Sequence, residues 1–293
     1  MGTREEMNHA KHLVLVTGST RGLGKHIAHR FWTDGNDLIL VARNNIDLKD
    51  VALEFSQTAI PGQKIHYFSK DLSNLENIPK LIAEIQKAAG NPDIIINNAA
   101  IQGPIGPFQT NDWIDWQKCM NICLLTPLCL IKGFLPSLIT KGYGRIINIS
   151  GGGATAPRPN FSSYATAKCG LIRFSETLAQ EVKTHGITIN CVAPGSMNSE
   201  LTKKIIEAGM QNAGSTEFDN AINLTINPSY NEERAADLVY FLTTDKCKSI
   251  TGKLISAVWD PWEKLSEVTL ELMDSDVYTL RRIMPEDRNL SIL

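Results

Sequence analysis

The stretch Thr17-Gly18-Ser19-Thr20-Arg21-Gly22-Leu23-Gly24 decides how this chain folds. An apolar run at residues 13–16 precedes it and predicts a buried strand, while residues 25–32 after it predict the body of a helix. Backbone N–H groups at a helix start lack partners within the helix, and the helix dipole favours anions there. Because glycines let a phosphate approach the backbone, the stretch predicts a nucleotide site, with a ligand-free glycine turn as the alternative.

The glycines follow the spacing G-x-x-x-G-x-G rather than the more common G-x-G-x-x-G. With Thr17 in front, this spacing resembles the cofactor motif in the compact branch of the short-chain dehydrogenases/reductases. The resemblance implies an α/β fold with a Rossmann-type, doubly wound parallel sheet that binds NAD(P). It places seven residues at the cofactor: Gly18, Ser19, Thr20, Arg21, Gly22, Leu23 and Gly24.

Apolar runs alternate with helical patterns along most of the chain. Further strands are predicted at residues 38–41, 65–68, 94–96, 146–149, 187–192 and 254–258, and helices at 46–59, 75–89, 112–139, 164–184 and 232–244. This alternation favours a parallel sheet covered on both faces, which binds ligands at the carboxyl ends of its strands. The pattern predicts one domain over residues 1–260. An extension over 261–293 is expected to form one or two short helices that dock on the core or on a partner subunit.

The composition is that of an ordinary globular protein, with 293 residues, 43% hydrophobic residues and a net charge of -2. This balance indicates neither a nucleic-acid surface nor an anionic membrane partner. Residues 1–10 lack an apolar signal region, and the longest apolar run, at 122–131, is too short to span a bilayer. The six cysteines include no C-x-x-C pair, so we expect no metal site and interpret them as reduced core thiols of a cytoplasmic protein: Cys119, Cys123, Cys129, Cys169, Cys191 and Cys247.

The end of the second predicted strand bears on the choice between the two nicotinamide cofactors. A site that prefers NAD usually places a carboxylate here to bind the ribose 2′-hydroxyl, but this chain has Ala42 followed by Arg43. Arg21 in the glycine turn can reach the same region, and two guanidinium groups suit a 2′-phosphate. We therefore expect NADP(H) rather than NAD(H), unless both arginines are only solvated surface charges.

Three further motifs match the resembled family where predicted strands end. Asp71-Leu72 implies a contact with the adenine, although Asp71 or Ser73 could instead cap the following helix. The small residues after Asn97 imply that the backbone passes close to the cofactor ribose at Asn98, Ala99 and Ala100. Pro194-Gly195 and Ser199 imply contacts at the nicotinamide side. Residues 196–230 are predicted to be helical in part and occupy the place of the family's substrate loop.

The pentad from Tyr164 to Lys168 carries the strongest indication of chemistry. Side chains at positions i and i+4 share one face of a helix, and an ammonium beside a phenol lowers the phenol's pKa from about 10. Tyr164 is then the proton donor in carbonyl reduction, and the resemblance implies that Lys168 also holds the nicotinamide ribose. It further implies that Asn121 holds a water molecule in a proton relay. An amphipathic helix with an incidental Tyr/Lys pair is the alternative.

One expected catalytic group is missing from its usual position. The resembled family places a serine 13 residues before its tyrosine, and here that position is Gly151, preceded by Ser150. Successive strand residues point to opposite faces, so Ser150 does not take over the role by position alone. The three glycines at 151–153 permit a bend that re-aims Ser150, or one of their N–H groups polarises the carbonyl instead.

These features together predict an NADP(H)-dependent oxidoreductase that interconverts a carbonyl compound and a secondary alcohol, with Tyr164 as general acid/base. The polar composition of 196–230 points to a polar small molecule. A cofactor-binding sensor or scaffold with little turnover is the alternative, which Gly151 favours, and the glycine spacing disfavours a sugar-nucleotide epimerase or dehydratase. The resemblance implies a homodimer or homotetramer formed through the helix at 112–139, kinked near Pro127, and the helix of Tyr164. Arg158 is interpreted as a solvated charge rather than a contact to an anionic substrate.

Overall fold

The architecture is a single parallel sheet of seven strands. The computed structural model describes residues 11–227 and 231–290; the predictions for Met1–Ala10, and for the ends of the substrate loop at 228–230 and of the extension at 291–293, lie outside these ranges. The strands run in the order β3-β2-β1-β4-β5-β6-β7, which confirms the predicted doubly wound fold. Their bounds are β1 Leu13–Thr17, β2 Asp37–Ala42, β3 Ile65–Ser69, β4 Ile94–Asn97, β5 Gly144–Ile149, β6 Ile187–Ala193 and β7 Leu254–Ser256.

Helices cover both faces of the sheet. Alternate strand residues feed two cores: Val14 and Val16 face the first, and Leu15 faces the second. In chain order the helices are α1 Gly22–Thr33, α2 Asn45–Ser56, α3 Asn77–Ala88, α4 Trp113–Met120, α5 Thr126–Lys141, α6 Ser162–Glu181, α7 Glu200–Ala213, α8 Ser215–Ile226, α9 Asn231–Phe241 and α10 Thr269–Met273. The first core lies under α1, α2 and α9, and the second under α3, α5 and α6.

A π-helical turn, Asn121–Leu125, joins α4 to α5 just before Pro127, where a kink was predicted. The continuous helix Trp113–Lys141 has 29 residues, so by length and composition it could cross a membrane. The apolar run at 122–131, considered in the sequence analysis, is too short to do so. Core helices of other proteins meet the same criteria, and here α5 packs against α3 and β5.

The region predicted as a substrate loop is a pair of helices, α7 and α8, packed against each other. Gly214 separates them with a φ of +88°, a conformation that glycine adopts without strain. Their buried contacts form a small apolar cluster of Phe161, Ile205, Ala213 and Ala221. The stretch was predicted to be helical in part, and helices cover most of its described residues.

The extension docks on the core of its own chain. Trp262 and Leu265 in a 3-10 helix, Trp262–Glu267, and Leu272 in α10 are buried in the same core as α9. The chain then runs past the sheet margin, where the Tyr278 carbonyl accepts a hydrogen bond from Leu254 N–H at 2.8 Å. Further along, Leu280 N–H donates to Glu176 Oε1 on α6 at 2.6 Å.

All six cysteines are free thiols, and their burial differs along the chain. Four are buried as predicted for core thiols, and Cys129 is half-buried. Cys169 is exposed on α6, so the core prediction is wrong there, because its position falls on the solvent face of an amphipathic helix.

Asp93, just before β4, ties three elements together at the amino ends of the strands. One carboxylate oxygen pairs with Lys141 at the end of α5, and the other accepts the Leu13 N–H at 3.0 Å and lies 3.8 Å from His12 Nδ1. Burial alone would favour the neutral acid, but these partners outweigh it and lower the pKa of Asp93 to about 2.

We expect Asp93→Asn to lower the free energy of unfolding at pH 7 by about 2 kcal/mol. A depressed carboxyl pKa stabilises the fold above the unfolded-state value near 3.8, and that contribution is lost as the pH falls toward 2. Urea unfolding from pH 7 to pH 3 tests this, with the exposed Asp50→Asn on α2 as control. A wild-type advantage that stayed constant or grew on acidification would contradict the assignment.

Candidate active site

A cavity of about 1020 Å³ lies at the carboxyl ends of the strands, where such sheets bind ligands. All the predicted cofactor and catalytic residues line it except Ser19, Asp71 and Asn121. The predicted motifs at the ends of β1, β2, β4, β5 and β6 thus meet in one place. No described residue of the extension lines this cavity.

The glycine turn after β1 has the shape of a phosphate cradle. A Cβ at Gly24 would lie 2.1 Å from the Gly18 carbonyl oxygen, so only glycine lets α1 approach β1 this closely. Gly22 has a φ of +51°, and a Cβ there would meet no atom within 4 Å. The turn therefore leaves open space directly above the N-terminus of α1, which fits a pyrophosphate.

Thr17 and Asn98 hold this turn against the end of β4. Thr17 Oγ1 accepts hydrogen bonds from the N–H groups of Asn98 and Ala99 at 3.0 and 3.1 Å. Asn98 Nδ2 donates to the carbonyls of Thr17 at 2.9 Å and Gly18 at 3.2 Å. Sequence reasoning did not assign Thr17 a role, although its place at the head of the glycine motif could have indicated one.

Tyr164 lies in the first turn of α6 and points at Gly151. Its side chain is buried, and a Cβ at Gly151 would lie 2.2 Å from its hydroxyl oxygen. The Tyr164 hydroxyl thus occupies the space that a side chain at residue 151 would need. Burial raises the pKa of Tyr164, with Cys123 adding to the effect and Arg158 opposing it. This direction is opposite to the predicted lowering by Lys168.

Lys168 is directed elsewhere in this structure. Its Nζ lies 5.5 Å from the centre of the Tyr164 ring, but it donates a hydrogen bond of 2.6 Å to the Ile149 carbonyl at the end of β5. Ser150 is buried, lines the cavity and has no hydrogen-bond partner for its Oγ in the described part of the chain. A buried hydroxyl without a partner is uncommon and points to a role for Ser150.

A family model described as short chain dehydrogenase matches residues 12–209. The chain belongs to the short-chain dehydrogenase family. The 3-oxoacyl-[acyl-carrier-protein] reductase FabG of Aquifex aeolicus (strain VF5) is 31% identical over 241 residues, which cover 82% of this chain and 93% of that protein.

Two solved structures are similar to this short-chain dehydrogenase. A metagenomic short-chain oxidoreductase in complex with NADP is 26% identical, with a TM-score of 0.67 over 84% of this chain and 96% of that one. The fold is also shared with YwfH, an NADPH dependent reductase involved in bacilysin biosynthesis, at 24% identity and a TM-score of 0.74. That match covers 85% of this chain and 97% of the other.

Three predicted site residues of this short-chain dehydrogenase lie outside the cavity lining. Ser19 is buried and its Oγ faces the Val41 carbonyl at 3.4 Å. The Asp71 carboxylate accepts a hydrogen bond from the Ser73 N–H at 2.9 Å, which closes a turn and lowers the pKa of Asp71. Because α3 starts only at Asn77, the alternative interpretation of Asp71 or Ser73 as a helix cap is wrong. Asn121, in the π-helical turn, donates from Nδ2 to the Ser73 carbonyl at 2.9 Å.

The two arginines predicted to bind a 2′-phosphate both line the cavity. Arg21 is exposed, and its Nη1 is 3.9 Å from Glu200 Oε2 at the start of α7. Arg43 is exposed after β2, beside the first turn of α2. Asp47 in that turn also lines the cavity and accepts a 2.8 Å hydrogen bond from Asn44 Nδ2.

The end of the cavity beside Tyr164 contains an ion pair that the sequence did not predict. Arg158 is not the solvated charge expected, because its side chain is 12% exposed and pairs with Glu217 on α8. Gln102 and Asn220 line the same end, with Leu224 on α8 as an apolar neighbour. Glu217 is 59 residues from Arg158 in sequence, and no local pattern could have paired them.

Proposed function

We propose that this short-chain dehydrogenase is an NADP(H)-dependent oxidoreductase that interconverts a carbonyl and a secondary alcohol. The observation that carries the proposal is the meeting of Tyr164, Lys168 and Ser150 with the glycine turn in one cavity. A phosphate cradle and a phenolic proton donor within one cavity suit hydride transfer coupled to proton transfer.

The cavity residues fit a dinucleotide that carries a 2′-phosphate. Gly18, Gly22 and Gly24 would hold the pyrophosphate at the N-terminus of α1, and Arg21 and Arg43 would bind the 2′-phosphate. The open space over Gly22 and the absence of a carboxylate at Ala42 support this fit. The metagenomic short-chain oxidoreductase of similar fold binds NADP in its crystal structure, which also supports it. The remaining predicted contacts would lie along the dinucleotide: Asp71, Leu72, Asn98, Ala99, Ala100, Pro194, Gly195 and Ser199.

When bound, the nicotinamide would supply or accept the hydride, and residues of this chain would transfer the proton. Tyr164 donates its hydroxyl proton to the carbonyl oxygen during reduction and takes it back during oxidation. Ser150 is the nearest candidate for the missing serine, because the residue lines the cavity and its buried hydroxyl is unpaired among the described residues. Lys168 would hold the ribose once its Nζ leaves the Ile149 carbonyl.

Assay of a panel of carbonyl compounds with NADPH tests the proposal. The panel should run from ketoacyl thioesters to keto sugars, with NADPH consumption followed by its absorbance. Turnover of at least one class, lost in Tyr164→Phe, is the expected result. Tight NADPH binding without turnover on any class would favour the second candidate, a cofactor-binding sensor or scaffold. The Tyr164 hydroxyl packed at Gly151 is the observation that favours that candidate.

Arg43→Ala should narrow the preference for NADPH over NADH at least tenfold. A charge-assisted hydrogen bond to phosphate is worth about 1.5–3 kcal/mol. Because NADH has no 2′-phosphate, the substitution weakens the binding of NADPH and leaves the binding of NADH unchanged. Titration of both cofactors by isothermal calorimetry gives the ratio of Kd values. Arg30→Ala is the matched control, because Arg30 on α1 pairs with Asp237 outside the cavity. Equal affinities in the wild type, or an unchanged ratio in Arg43→Ala, would contradict the assignment.

We also propose that copies of this chain associate as a homodimer or homotetramer. Apolar side chains are exposed along the start of the long helix, including Trp113 at 57% and Ile114 at 63%, with the two indole rings of Trp113 and Trp116 stacked. This is the helix through which the family resemblance implies a dimer. The small-molecule substrate and the cytoplasmic location remain predictions, as does the expectation that neither nucleic acid nor membrane is a partner.

A further inference from the structure

Arg158 lies against the proposed proton donor. Its guanidinium carbon is 3.8 Å from the centre of the Phe161 ring and 5.8 Å from the centre of the Tyr164 ring. The same group lies 3.6 Å from the position that a Cβ on Gly152 would take. Arg158 lines the cavity together with Gly151 and Gly152, neither of which has a side chain.

The guanidinium is fixed in place by a carboxylate from α8. Arg158 Nε donates to Glu217 Oε1 at 2.8 Å and Nη2 donates to Oε2 at 2.7 Å, a two-point contact that holds the plane of the group. Nη1 has a longer contact of 3.4 Å with Gln102 Oε1. At 12% exposure of the arginine side chain, little water screens its charge from the cavity.

In the described part of the chain, few titratable groups face Tyr164 from the elements packed around it. Lys168 on α6 is bound to the Ile149 carbonyl, and Cys119 on α4 and Cys123 in the π-helical turn are buried thiols that disfavour a phenolate. Arg158 comes from the segment before α6, with Glu217 of α8 behind it. The Arg158 charge therefore favours the ionised tyrosine, while the thiols and burial oppose it.

We propose that Arg158 is the positioning residue whose charge stabilises ionised Tyr164, and that Glu217 on α8 sets how strongly it does so. This rests on the proposed oxidoreductase function, in which Tyr164 exchanges the proton. A mostly buried cation 5.8 Å from the ring centre of a tyrosine stabilises its ionised form, and a carboxylate paired with that cation cancels part of the effect. Any movement of α8 that loosened Glu217 would make the tyrosine a stronger acid.

Opposite shifts in two variants test the proposal. Arg158→Met should raise the pKa of Tyr164 by about one unit, whereas Glu217→Gln should lower it by a similar amount, because the first removes the cation and the second removes its counter-ion. Carbon-13 NMR of protein labelled at tyrosine Cζ reads the ionisation of Tyr164, whose signal is the one missing in Tyr164→Phe. The titration uses the protein alone, so its outcome is independent of whether any carbonyl compound is turned over.

Both variants break the same ion pair between Arg158 and Glu217. If that pair had only a structural role, the pKa of Tyr164 would shift in the same direction in both variants. Such parallel shifts, or no difference between the variants up to the pH of unfolding, would overturn the proposal. Arg158→Lys keeps the charge, so Tyr164 should titrate near its wild-type pKa in this variant. If Arg158→Met does not fold, Arg158→Lys and Glu217→Gln together test the proposal. Arg173→Met is the matched control, since Arg173 pairs with Glu176 on α6, away from the cavity lining.

Discussion

Tyr164→Phe is expected to lower carbonyl reduction by NADPH at least a hundredfold while leaving NADPH affinity unchanged. General acid catalysis by a positioned side chain contributes about 10²–10⁴-fold, and this substitution removes the acid but keeps the buried ring. Steady-state rates and a cofactor titration of the same preparation measure the two quantities. If substrate affinity also holds, the loss appears in kcat rather than in KM.

Tyr143→Phe supplies the matched control for that experiment. Tyr143, next to the first residue of β5, lies at the opposite end of the sheet, where its hydroxyl is 3.2 Å from His12 Nε2. Removing this phenolic oxygen should leave turnover at the wild-type level. If Tyr164→Phe retained more than a tenth of the activity, the proton donor would have to be another group.

Gly151→Ser, which restores the serine expected from the family, should lower kcat/KM about a hundredfold instead of raising it. The new Cβ would lie 2.2 Å from the Tyr164 hydroxyl oxygen, so that hydroxyl has to move by about 1 Å to reach an ordinary contact distance. A misplacement of about 1 Å at a reacting group can cost on the order of 10²-fold. The measurement is kcat/KM on whichever carbonyl compound the panel identifies.

The neighbouring Gly152→Ser separates this effect from a general intolerance of the glycine run. A Cβ there meets only the Arg158 guanidinium, at an ordinary distance of 3.6 Å, and we expect near wild-type rates. Higher activity in Gly151→Ser than in the wild type would contradict this expectation. It would mean that the Tyr164 side chain moves aside at little cost and that the chain has lost a useful serine at position 151.

Contiguous motifs made most of this fold and much of its site predictable. The glycine turn, the apolar strands and the Tyr164–Lys168 helix are each encoded within a few neighbouring residues, whose backbone preferences and periodicity can be read directly. The parallel strand order then follows from alternation of strands and helices, because each crossover places the next strand beside an earlier one.

The features that escaped prediction depend on contacts between distant segments. Whether Arg158 faces solvent or Glu217 depends on where α8 packs against the segment before α6. The direction of the Tyr164 pKa shift likewise depends on how far burial outweighs nearby cations, which i and i+4 spacing does not report. The role of Asn121, assigned by resemblance, stays a prediction, and its Nδ2 donates a hydrogen bond to the Ser73 carbonyl.

The course of the extension has a consequence for how copies of this protein can aggregate. Within the described residues, both N–H groups of β7 that point away from β6 have acceptors, Leu254 at the Tyr278 carbonyl and Ser256 at the Asp260 carboxylate. Among the described strands, β3 at the other end of the sheet is then the only one with an edge that has no strand neighbour. Growth of a fibre by strand addition needs two free edge strands in each molecule. With β3 as the one free edge strand in the described part of the chain, joining of sheets between copies would stop at a pair of molecules.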